Sequence, residues 1–128
     1  DNIMTDYTAK DFGSFAEIAK LENGKAFLHD ALGLTSCEIS INSTPKGFKV
    51  PFSHKHKQNE EVYIVLKGNG IITVGENKIN VKEGSAVRVA AGVARTIENT
   101  GNGEFNFVCI QAKENSLTQF GFGDAELC

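Results

Sequence analysis

The chain spells an all-β domain, a sandwich or barrel with one short helix near its start, and three observations carry that reading. Turn signals recur at Asn23-Gly24, Pro45-Lys46-Gly47, Gly68-Asn69-Gly70, Gly75-Glu76-Asn77, Glu83-Gly84, Ala91-Gly92 and Gly101-Asn102-Gly103, a spacing that suits short strands. Two of the segments between them alternate: Cys37, Ile39 and Ile41 oppose Glu38, Ser40 and Asn42, while Phe105, Phe107 and Cys109 oppose Asn106, Val108 and Ile110. At 128 residues and 41% hydrophobic content, with no internal repeat and no long linker, the chain has material for one core and one domain.

Taken in order, residues 1–34 form an N-terminal segment with the helix and a flanking strand. Ser14 with Glu17 three residues on is a capping box, and Phe15, Ile18, Ala19 and Leu21 supply an apolar stripe, so a helix is predicted over residues 15–21. Residues 35–112 hold most of the strands expected of the sandwich or barrel. The last stretch, 113–128, is a tail of the same domain; Phe120 and Phe122 among glycines make it either a loose end or a strip packed on the barrel.

Charge and cysteine content exclude several classes. A net charge of −3, from 13 basic and 16 acidic side chains without blocks, leaves no footprint for nucleic acid or an anionic membrane. No apolar run is long enough to span a bilayer. Cys37, Cys109 and Cys128 are odd in number and widely spaced, which argues against a disulfide framework and a cysteine zinc site and makes the cytoplasm the expected compartment. The chain opens at Asp1 with neither an initiator methionine nor an apolar leader, which reads as a trimmed start and leaves open a removed targeting peptide.

The chemistry is concentrated in "HKHKQNEEVYIVLKG", residues 54–68. If residues 52–56 are extended, His54 and His56 point to one face while Ser53, Lys55 and Lys57 point to the other. Glu61 on the following strand closes a two-histidine, one-carboxylate set that leaves metal positions open. Two histidines on a charged stretch are usually just solvated; here two of the chain's three fall immediately before Glu60, Glu61 and an apolar run bounded by Gly68 and Gly70. His29 lies away from this stretch and reads as structural or exposed.

These residues resemble the first motif of the cupin superfamily: a glycine, His-x-His, a glutamate and a further glycine, matched by Gly47, His54, His56, Glu61 and Gly68. The gap from Gly47 to His54 is one residue longer than the usual pattern. The second cupin motif aligns on "GSAVRVAAGVARTIEN", where Gly84, Gly92 and Asn99 match, Ala90 replaces a proline and Arg95 replaces the histidine that completes the family's metal set. The resemblance covers roughly residues 35–112 and implies a cupin jelly-roll β-barrel, a homodimer paired through its sheets, and one divalent metal ion (Zn, Ni, Fe or Mn) on His54, His56 and Glu61. With Glu61 facing inward, strand parity turns Tyr63 and Val65 inward too, and Arg95 carries Val93 and Ile97 with it.

Arg95 is the point of tension. About 5 Å from a divalent ion, at an effective dielectric near 20, a guanidinium meets a repulsion of roughly 6 kcal/mol. A three-ligand site then needs Arg95 turned away or an anion between them; the other geometry has Arg95 forking onto Glu61 without metal. Three classes stay open. One is a metal-dependent enzyme of isomerase, lyase or dioxygenase type acting on a small anionic molecule, with Arg95 and Tyr63 as catalytic groups and Arg95, Tyr63, Phe107 and Gln111 binding the ligand. The second is a non-catalytic ligand or sugar sensor without metal. The third is a metal-free enzyme using a histidine base.

Overall fold

The computed structural model describes residues 6–128, and the architecture is mostly β. Eight strands build it: β1 (Lys25–Phe27), β2 (Glu38–Thr44), β3 (Asn59–Lys67), β4 (Asn69–Val74), β5 (Asn77–Lys82), β6 (Ala86–Val89), β7 (Arg95–Asn99) and β8 (Phe105–Lys113). They form a five-stranded sheet in the order β1-β2-β8-β3-β6 and a three-stranded sheet in the order β5-β4-β7, with every pairing antiparallel. Val65, Val89, Phe105 and Phe107 of the larger sheet pack against Ile72, Val81 and Ile97 of the smaller one. Burying each such side chain contributes about 1.5–3 kcal/mol, and this cluster is the main source of cohesion between the layers.

The barrel expected from the sequence does not close into a continuous ladder. The two sheets remain separate, and the stretch leading to the histidines meets β7 through the isolated bridges Lys49–Glu98 and His54–Arg95. Pro51 lies between those bridges and has no N–H to donate, so a regular ladder cannot run through it.

The capping box forms as predicted: the Glu17 backbone N–H donates to Ser14 Oγ at 3.2 Å, and the Ser14 N–H donates to Glu17 Oε1 at 3.0 Å. The helix itself, α1, is shorter than expected, Phe15–Ile18. Only Ile18 of its stripe is buried, and Leu21 is already extended at the start of a 3-10 turn over Glu22–Gly24. A second short helix, α2 (His29–Leu32), was not foreseen; it ends at Gly33 in the left-handed region. His29 stays partly exposed beside Asp30. The C-terminal tail buries none of its side chains: residues 115–128 are exposed throughout. No helix among the described residues is long and apolar enough to cross a membrane.

Two motif residues have structural duties that the fold makes plain. Gly68 sits at φ +88°, and a Cβ there would lie 2.3 Å from the Glu104 carbonyl oxygen, so only glycine lets the β3–β4 turn pass β8. Asn99 is buried and clamps two loops: its Nδ2 donates to the carbonyls of Pro45 (2.9 Å), Gly103 (2.8 Å) and Thr44 (3.3 Å), and its Oδ1 accepts from the Gly101 N–H at 3.0 Å.

Candidate metal and ligand site

Register across the larger sheet determines which side chains share a face. Glu61 of β3 stands opposite Gln111 of β8, which stands opposite Glu38 of β2. The next row inward is Tyr63, Cys109, Ser40 and Phe27, and the one after it Val65, Phe107, Asn42 and Lys25. All of these residues except Val65 and Asn42, which are buried, line the floor of a cavity of about 320 Å³, whose walls include Val50, Phe52, His54, His56 and Ile97.

The three predicted metal ligands converge at the cavity. One candidate ligand atom from each of His54, His56 and Glu61 lies within 4.8 Å of the others. His54 is fixed by a backbone pair with Arg95, its carbonyl accepting the Arg95 N–H at 2.9 Å and its N–H donating to the Arg95 carbonyl at 3.2 Å. The His56 carbonyl accepts the Gly92 N–H at 2.7 Å, so both histidines are held from the second motif. Their rings meet edge to face with centroids 5.2 Å apart.

Glu61 is 5% exposed and divided between its two oxygens. Oε1 accepts from Arg95 Nη1 at 2.6 Å and from Tyr63 Oη at 2.8 Å; Oε2 faces His56 Nε2 at 3.1 Å. The sequence reading opposed a metal site to an Arg95–Glu61 fork, yet the contact uses one oxygen and leaves the other on the histidine side. This donor set fits a divalent ion: two imidazoles, and a carboxylate whose outer hydrogen bonds fix its orientation as metal-binding carboxylates require. His54 itself has a pKa lowered by burial, with Arg95, His56 and Lys25 adding to the fall and Glu61 opposing it, so a neutral imidazole is presented.

Other predicted residues divide. Tyr63, Phe107 and Gln111 line the cavity as expected. Gln111 is tied to Asn59, its Oε1 accepting from Asn59 Nδ2 at 2.9 Å. Arg95 is 1% exposed and stands behind Glu61 rather than in the cavity wall, its Nη2 reaching only the Ala90 carbonyl at 3.5 Å and its Nε without a partner. Burial pushes the Tyr63 hydroxyl and the Cys109 thiol well above their ordinary ranges, so both stay protonated. Cys109 is therefore an inert wall.

Sequence reading missed Lys25, Glu38 and Ser40. For Glu38 and Ser40 the signal was the polar face of residues 38–42, which alternation identified without showing that it, and not the isoleucine face, turns to the cavity; Lys25 had none. Ser40 and Asn42 are buried there, and Asn42 Nδ2 donates to Ser40 Oγ at 3.0 Å and to the Phe107 carbonyl at 3.3 Å.

Comparison with known proteins agrees with this geometry. The cupin domain model matches residues 42–111. A crystal structure of a cupin protein from Bacteroides fragilis superposes with a TM-score of 0.85 at 36% identity, covering 98% of this chain and 99% of that one. An uncharacterized protein of Methanocaldococcus jannaschii is 36% identical over 56 residues, 44% of this chain and 45% of that protein. The oxalate-binding protein of Thermotoga maritima is 32% identical over 57 residues, 44% of this chain and 47% of that protein. The matched region thus spans under half the length of these two curated relatives. With both motifs in place, the donor cluster between the sheets and a relative matched end to end, the chain belongs to the cupin family.

Proposed function

We propose that this cupin holds one divalent cation on His54, His56 and Glu61 and takes a small anionic molecule into the positions those residues leave open. The observation that carries the reading is the convergence of three ligand atoms within 4.8 Å at the wall of a ligand-sized cavity. Charge supports the anion. Arg95 already balances Glu61 and imidazole ligands add no negative charge, so most of an ion's double charge would be left uncompensated. A carboxylate ligand would supply the missing negative charge, and the relative called an oxalate-binding protein points the same way.

When bound, the ion would supply Lewis-acid polarisation of a ligand oxygen, chemistry that suits an isomerase or lyase, whereas a dioxygenase would need a redox-active ion such as iron. The chain's own groups position and shield. Arg95 and Tyr63 hold Glu61 by Oε1; Phe107 and Ile97 give the ligand an apolar wall and limit water. Tyr63 is the nearest protonated hydroxyl, and serves as an acid only when it releases Glu61.

A second reading has a specific observation behind it. Both Glu61 oxygens already have partners, which suits a metal-free pocket that recognises ligands without turnover. Calorimetric titration of Zn²⁺, Ni²⁺ and Mn²⁺, with and without oxalate, separates the two. The metal reading expects one ion per chain, tighter with oxalate and absent in His54→Ala. No heat for any ion under either condition transfers the site to the metal-free reading.

A further inference from the structure

We infer that Lys25 is the second anchor of the cavity and that the ligand is a dianion, such as a dicarboxylate, held by the metal cluster at one end and by Lys25 at the other. The inference deepens the proposed function and rests on it for the first anchor only.

Three observations place Lys25 in this role. Its register opposite Asn42, which itself stands opposite Phe107, turns it into the same cavity as His54, His56 and Glu61. Its ammonium donates to Asn42 Oδ1 at 2.6 Å and stands 5.9 Å from the centroid of the Phe107 ring, so the stem is folded over the floor rather than out into solvent. None of the ion pairs among the described residues includes it. An ammonium has three donors and Asn42 takes one. A partly buried lysine with no carboxylate in direct contact is costly; burial lowers its pKa, and the Glu61 charge opposes that fall only in part. A ligand carboxylate would remove that cost.

The same geometry reassigns the anion contact expected of Arg95. Arg95 is sealed behind Glu61, whereas Lys25 is the cation that lines the cavity. The floor between the two anchors is Phe107 and Tyr63, which fits a ligand charged at its ends and apolar in its middle.

The test compares malonate, succinate and glutarate with the matched monocarboxylates acetate, propionate and butyrate, by calorimetry on the Mn²⁺-loaded protein and on the metal-free protein. Wild type should prefer at least one dicarboxylate over its monocarboxylate by about tenfold or more, the scale of one charge-assisted hydrogen bond. Lys25→Met should abolish that preference while leaving Mn²⁺ affinity and monocarboxylate binding within about twofold, and Lys25→Arg should retain it. Lys25→Gln, which keeps a donor for Asn42, guards against a folding defect in the methionine variant and should lose the preference equally. A preference unchanged in both neutral variants, or absent in wild type, overturns the inference. A wild type that takes no Mn²⁺ yet prefers dicarboxylates through Lys25 supports the anchor while removing the metal.

Discussion

Arg95 carries a full charge at 1% exposure, and its charged partner is the one carboxylate oxygen of Glu61 that also receives the Tyr63 hydroxyl. Removing one member of such a pair strands the other. Arg95→Gln should therefore lower unfolding free energy by about 3 kcal/mol, the low end for a broken buried pair because Tyr63 and His56 still hold Glu61. Urea denaturation reads this directly, and a loss under about 1 kcal/mol would mean that the pair is not formed in solution. Arg95→His should act oppositely on metal, restoring the histidine of the second cupin motif beside His54 and raising Zn²⁺ affinity by about tenfold or more; unchanged affinity would show that the three ligands do not converge. The convergence of His54, His56 and Glu61 was legible because alternation and a fixed gap to Gly68 are properties of one short stretch. The partner of Arg95 was not, since that depends on how β7 is placed against β3, and Lys25 was invisible because two strands, β2 and β8, separate it in register from Val65.

At the scale of elements, strand β3 and the turn after it do most of the positioning. Parity along β3 was read correctly: Glu61, Tyr63 and Val65 are buried, while Leu66 is exposed. The turn into β4 is equally constrained, since a Cβ on Gly70 would lie 2.6 Å from the Phe105 ring and 2.7 Å from the Glu98 carbonyl oxygen. Gly70→Ala should cost about 2–3 kcal/mol by overpacking, measured as a lower denaturation midpoint with an unchanged slope. Asn99→Ala should cost a similar amount, about 2–4 kcal/mol, because it leaves buried loop carbonyls without a donor. Wild-type stability in either variant would contradict these packing assignments. The short helix shows the limit of local reasoning. Its cap was written in Ser14 and Glu17, but its end was set by where Leu21 and the Asn23-Gly24 turn meet β2, a tertiary event.

For the whole molecule, the outer face of the larger sheet is a grid of half-buried apolar side chains: Ile39, Ile110 and Val62 in one row, Ile41, Val108 and Ile64 in the next. The exposed tail adds Leu117, Phe120, Phe122 and Leu127. Apolar surface on this scale calls for a cover, and a second copy of the chain, as the family resemblance implied, is the proposed one. Sedimentation equilibrium should find a dimer, and truncation after Lys113 should weaken it; a monomer at micromolar concentration would refute the pairing. The two-sheet fold was legible from turn spacing and alternation, while barrel closure was overestimated because one proline between two bridges is hard to weigh from sequence. The central claim concerns the ion. Metal content of the protein purified without chelator or metal-affinity resin, compared with His56→Ala, tests it most directly: the account predicts about one divalent ion per wild-type chain and almost none in the variant, and equal content in the two, or none in wild type even after titration, would contradict it.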